Sequence, residues 1–227
     1  MKKTNLKKLL YVPFLYALLI SNSFSIEPYI EGQVGVGVVE DTSGSSFTSS
    51  GGFSAAVSLD NLSYENGLLL GAEFGVKNIV NNLRMGIGII SFEAEFENGE
   101  GVAALSSGGT VILAAAGSFT AADLASAGIT ADNDVTAYSL NTYLDLNTNS
   151  DLTPFIGIGF GFADIENAED NEFAISLLFG GNYKITDKAY IGAKGGYYNI
   201  AGPTDKIGIN YDDINAWTFN VAFGIEF

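Results

Sequence analysis

From Pro28 onward, apolar residues recur at every second position in segments of about ten, and runs of Gly, Asn, Asp and Ser separate the segments. A period of two belongs to strands whose two faces meet different surroundings. The last segment carries it furthest: Trp217, Phe219, Val221, Phe223, Ile225 and Phe227 share one face, while Ala216, Thr218, Asn220, Ala222, Gly224 and Glu226 share the other. The same alternation predicts strands over residues 28–39, 67–77, 83–96, 135–146, 154–163, 172–185, 189–200 and 214–227. In the third of these, Arg84, Gly86 and Gly88 fall in phase with Ile90, Phe92 and Phe96. The faces therefore look exchanged near Ile89, which predicts a β-bulge there.

Short links after the second, fourth and sixth strands alternate with long ones after the first, third, fifth and seventh. Short turns on one side and long loops on the other are the mark of a barrel that spans an outer membrane. In lipid no backbone N–H or C=O can go unpaired, so a spanning sheet must close on itself, and tilted strands of about 9 to 11 residues cover the hydrocarbon. The fold class predicted is all-β, an eight-stranded antiparallel transmembrane β-barrel. The count becomes ten if residues 53–59 and 110–117 also cross. Otherwise residues 53–64 belong to the first outer loop, which opens with the Ser- and Gly-rich 40–52, and 97–134 read as another outer loop, with a short helix around 121–127.

The face opposite the Phe and Ile residues is lined with glycine and carries Glu31, Glu73, Lys77, Arg84, Glu93, Lys184, Lys194 and Glu226. A soluble barrel of eight strands inverts this pattern, with apolar residues inside. Two readings of these charges stay open. They form an ion-pair network that fills the lumen, or they line a narrow path for ions or small solutes.

The first 25 residues read as a cleaved signal peptide, with Lys2, Lys3, Lys7 and Lys8 ahead of a short apolar core and small residues at Ser23 and Ser25. Residues 26–227 then form one barrel domain in the bacterial outer membrane. The leader holds four of the ten Lys and Arg residues and none of the 26 acids, leaving six cations against 26 acids, a formal −20. Such a chain repels nucleic acid. Cysteine and histidine are absent, which removes disulfides, thiolate metal sites and Ser–His or Cys–His nucleophilic catalysis. Glu93 and Glu95 share a strand face, a spacing common in any polar-faced strand, and no GxGxxG run occurs, so neither an enzyme nor a cofactor is predicted. Asp164, Glu166, Glu169, Asp170 and Glu172 crowd one outer loop. They are weak candidates for divalent cations that bridge carboxylates to lipopolysaccharide phosphates, without EF-hand spacing.

The terminal Phe227, with apolar residues at alternate positions before it, resembles the C-terminal signal that the outer-membrane barrel-assembly machinery reads. Together with the leader, and with residues 28–39 and 153–163 (TPFIGIGFGFA), the chain is similar to the small OmpA- and OmpX-like barrels of the surface-antigen type. The resemblance implies location and fold, with lipid, lipopolysaccharide and the assembly machinery as partners. It also implies a structural or surface role in which the outer loops meet the environment or a host ligand of unknown nature.

Overall fold

The computed structural model describes residues 26–80, 82–126 and 133–227; the expected leader lies outside them. Thirteen strands and one short helix follow in chain order among the described residues. Eight strands form a closed barrel: β1 (Glu27–Val39), β4 (Gly67–Lys77), β5 (Leu83–Ala94), β8 (Asn133–Asp145), β9 (Leu152–Ile165), β10 (Glu172–Thr186), β11 (Ala189–Ile200) and β13 (Ile214–Glu226). Each pairs antiparallel with its chain neighbour in the barrel, and β1 pairs with β13 to close the ring. The eight-stranded expectation therefore holds.

The ten-strand alternative does not. The segments in question are strands, but they belong to a second sheet outside the barrel, ordered β12–β2–β3–β6–β7. It comprises β2 (Thr42–Ser50), β3 (Phe53–Tyr64), β6 (Phe96–Ser107), β7 (Thr110–Thr120) and the two-residue β12 (Asn210–Tyr211). Stretches read as loops are thus mostly sheet. Two tight turns organise them, Gly51–Gly52 and Gly108–Gly109, all four residues with φ between 58° and 82°. Positive φ at both central positions defines the hairpin turn whose twist matches its strands. The tips stand side by side, with the Gly108 amide donating to the Gly52 carbonyl at 3.4 Å. Helix α1 (Ala121–Ser126) starts on a reciprocal cap: Asp123 accepts from the Thr120 amide at 2.9 Å, and Thr120 Oγ1 accepts from the Asp123 amide at 3.3 Å.

The bulge expected near Ile89 is absent. β5 pairs in unbroken register with β4 and with β8. Arg84, Gly86, Gly88, Ile90, Phe92 and Ala94 all face inward, because the lumen itself changes from polar to apolar along the strand. Side chains on the outer face form the lipid belt: Trp217, Phe219, Val221, Phe223, Ile225 and Phe227 are 37–68% exposed, and Ile156, Ile158, Phe160 and Phe162 continue the band on β9. At the long-loop end Trp217 packs on Tyr197 with ring centroids 4.8 Å apart and donates to Glu40 at 2.9 Å. An amphipathic ring with its polar atom satisfied suits the membrane boundary.

Candidate functional site

Inside the barrel three layers succeed one another. Toward the long loops, Val39, Leu69, Phe92, Val135, Ile165 and Ile200 form one apolar cluster, each under 8% exposed. This plug lies beyond the reach of simple alternation, since its members are inward-facing and apolar in strands whose outward residues are apolar too.

Below it lies the charged layer. Register sets Glu31 of β1 directly opposite Glu73 of β4, a like-charge pair that disfavours the sheet unless cations come between. Lys194 does so, 2.7 Å from Glu31 and 3.6 Å from Glu73. Arg84 approaches Glu73 at 3.8 Å from the other side. Glu73 also accepts from Asn141 at 2.8 Å and from the hydroxyls of Tyr29 and Tyr143. Glu31 accepts from Gln33 and Tyr190, both at 2.8 Å, and Gln33 in turn accepts from Asn220 at 2.6 Å.

Arg84 is fully buried. Its Nε donates to Asp145 at 3.3 Å, and Nη2 sits at ion-pair distance from the same oxygen, 3.2 Å, without the alignment of a hydrogen bond. The guanidinium plane instead lies on aromatic faces, 4.0 Å from the Tyr143 ring centroid and 4.8 Å from that of Phe155. Weak hydration and a flat delocalised cation are what let Arg occupy such a slot. Glycine makes the room: a Cβ on Gly86 would come within 2.6 Å of the Tyr29 hydroxyl, and one on Gly224 within 2.0 Å of the Tyr190 ring.

The third layer is the short-turn mouth, an open vestibule of about 490 Å³ lined by charged and amide side chains. Lys77 and Glu226 form an ion pair here, at the rim of the filled lumen. Lys77 also rests 4.3 Å from the Tyr190 ring centroid.

Of the lumen residues expected from sequence, Glu31, Glu73, Arg84 and Lys194 thus meet in one cluster, and Lys77 and Glu226 pair at its edge. Two do not join. Lys184 has the inward phase but extends past the rim, half-exposed and paired with Asp187 at 2.9 Å. Glu93 points outward near the far end of β5, because the unbroken register puts odd-numbered residues of that strand on the outer face. Tyr29, Tyr190 and Asp145 complete the network, and charge pattern alone does not mark them. Tyrosine at an inward position, two residues from an inward glutamate, was the available signal for Tyr29. Among the described residues, no three acidic side chains gather as a metal site, and Asp164, Glu166, Glu169, Asp170 and Glu172 are spread along β9, its loop and the start of β10.

No protein-family model and no curated protein matches the chain. Solved structures do. Neisserial surface protein A (NspA) superposes with a TM-score of 0.51 at 12% identity, over 88% of this chain and 97% of that one. The outer membrane protein OprG from Pseudomonas aeruginosa gives a TM-score of 0.45 at 15% identity, over 88% and 96%. The likeness to NspA shows the fold, a small barrel of the bacterial outer-membrane type.

Proposed function

We propose that this chain is an outer-membrane surface protein whose barrel is a sealed anchor and whose five-stranded outer sheet meets the surroundings. The observation that carries the reading is the filled lumen. Arg84, at 0% exposure, is packed between ring faces in the middle of the barrel, with an apolar plug above it and an ion pair below. A conducting path needs water along its length, and this interior offers an ion only buried charges already paired with one another. The partners this reading needs are lipid and lipopolysaccharide around the belt, the assembly machinery at the C-terminal strand, and an environmental or host surface at the outer sheet. Catalysis is not part of it, since no histidine or cysteine is present to activate a nucleophile.

Planar-bilayer recording of the purified, refolded protein tests the reading. A silent bilayer, with insertion verified by the heat-dependent gel shift of a folded barrel, is the expected result. Reproducible unitary conductance steps would favour a narrow porin-like channel instead.

A further inference from the structure

We infer that the open edge of β7 is a docking strip for a second copy of this chain, the two β7 strands pairing antiparallel about a twofold axis at Ala116. The outer sheet ends on β7: β6 pairs with one side of it, and among the described residues no strand pairs with the other. An open edge presents a row of unpaired N–H and C=O groups, which natural proteins guard with lysine, proline or an inward-pointing charge. From Thr110 to Thr120 the sequence is TVILAAAGSFT, which holds none of these. Its one irregularity is an extra residue, Ile112, between the pairs Leu105–Leu113 and Ser106–Val111. The edge is regular over 113–120, where it runs in unbroken register with 98–105 of β6.

Charge and shape choose the occupant. The chain carries 26 acids against ten cations, so two copies repel wherever their acidic surfaces face one another. Residues 110–120 hold no charge, and copies can approach there. The strip is also self-complementary. A twofold dimer uses the same edge on both copies, so the strands run antiparallel, and only a register centred on a residue brings outward-pointing backbone groups together. Within 113–120, a centre at Ala116 sets Leu113 opposite Phe119 of the second copy, Ala114 opposite Ser118 and Ala115 opposite Gly117. A centre at Gly117 would set Phe119 against Ala115 and leave Leu113 outside the ladder. Leu113 is 66% exposed, and Phe119 is held by stacking on Phe96 with ring centroids 5.6 Å apart. Aliphatic–aromatic pairs across a ladder are stabilising. Between the two Leu–Phe pairs that face contains only alanine and glycine, and a Cβ at Gly117 would meet open space, so a second strand can lie close. The edge of β2 is a poorer mate, since β12 covers it at Gly44 and Ser45 and its remaining residues are mostly Ser and Thr.

This contact rests on the reading of the outer sheet as the surface that meets the surroundings, whereas bilayer conductance tests the sealed lumen, so the two fail separately. The chain has no cysteine, and single-cysteine variants therefore report the register directly. In detergent micelles, oxidation with copper phenanthroline should link Ala116→Cys to itself, because residues facing across an antiparallel ladder have Cα atoms about 4.5–5.5 Å apart, within disulfide reach. Ala114→Cys and Ser118→Cys should stay monomeric alone and link when mixed. Sedimentation of the unmodified protein should show a concentration-dependent dimer. Ala116→Lys, which sets two like charges face to face, should raise its dissociation constant about fivefold. The heat-dependent gel shift of the folded barrel should be the same in every variant. Equal self-linking by Ala114→Cys and Ala116→Cys overturns the register, as does linking of Ala116→Cys to Ser46→Cys in preference to itself. A monomer at every concentration, or a dimer indifferent to Ala116→Lys, overturns the contact.

Discussion

Glu73 shows how one residue can hold a barrel interior together. It accepts three side-chain hydrogen bonds and faces two cations. Removing one partner from a buried ionic cluster leaves uncompensated charge and costs about 3–5 kcal/mol. Glu73→Ala should therefore lose stability of that size in urea unfolding from lipid vesicles, and Glu73→Gln, which keeps the shape and an acceptor oxygen, distinctly less. Equal losses would mean that charge at this position is immaterial. A second residue, outside the membrane, gives a pH dependence. Burial under the outer sheet pushes the Tyr64 phenol from its ordinary 10.0 up to about 12. The neutral phenol is the form the fold favours, so its contribution is complete below pH 10 and is lost as the pH rises toward 12. Tyr64→Phe, with no proton to lose, should keep the outer hairpins protected from proteinase K to higher pH than the wild type. Strand phase puts the charges and the tyrosines of the lumen cluster alike on the inner face, but it does not show that the tyrosines clamp the charges. Phase says which face a residue occupies, whereas partners depend on which strands become neighbours.

At the scale of elements, the outer hairpins are the least expected part of the fold. β2 has the sequence TSGSSFTSS, and β7 is exposed on both faces along most of its length. With no buried face there is no alternation to detect, so the period that revealed the barrel strands is silent here. What fixes these strands is turn chemistry. Ser-Ser-Gly-Gly stands at both tips, residues 49–52 and 106–109, a repeat visible in the sequence. Gly109 has φ of +79°, and nothing lies within 4 Å of a Cβ placed there, so a substitution meets backbone strain alone. Gly109→Val should cost about 1–2 kcal/mol locally and speed proteolysis of the β6–β7 hairpin while the barrel's thermal transition stays put. Gly117→Val is the control: β7 is extended there and a Cβ meets open space, so a change within about 0.5 kcal/mol is expected.

For the whole molecule, the barrel divides labour along its axis. The outward face is uniform, a belt of Phe, Ile, Val and Leu that meets lipid at every height. The inward face is not: apolar toward the long loops, ionic in the middle, open at the short-turn mouth. This graded interior explains why the third strand looked broken in sequence. Ile90 and Phe92 are inward like Arg84, and they differ from it because they sit higher in the barrel. It also underlies the expectation of a silent bilayer, since the apolar plug and the ionic layer each close the lumen above the open mouth.

The sequence by itself determined the barrel's strands and their lipid faces and the place of the short turns, and it put Glu31, Glu73, Arg84 and Lys194 on the inner face together with Lys184 and Glu93, which do not join them; the strand count it left at eight or ten. It could do so because a closed sheet between lipid and lumen imposes one local rule, alternation, at every residue. Only the tertiary structure decided what is not local. The pairing of Glu31 with Glu73 across β1 and β4, the slot between Tyr143 and Phe155 that takes Arg84, and the displacement of Lys184 beyond the rim all follow from register and strand order. So does the outer sheet, whose strands come from three separate loops and whose open edge exists only once they pair.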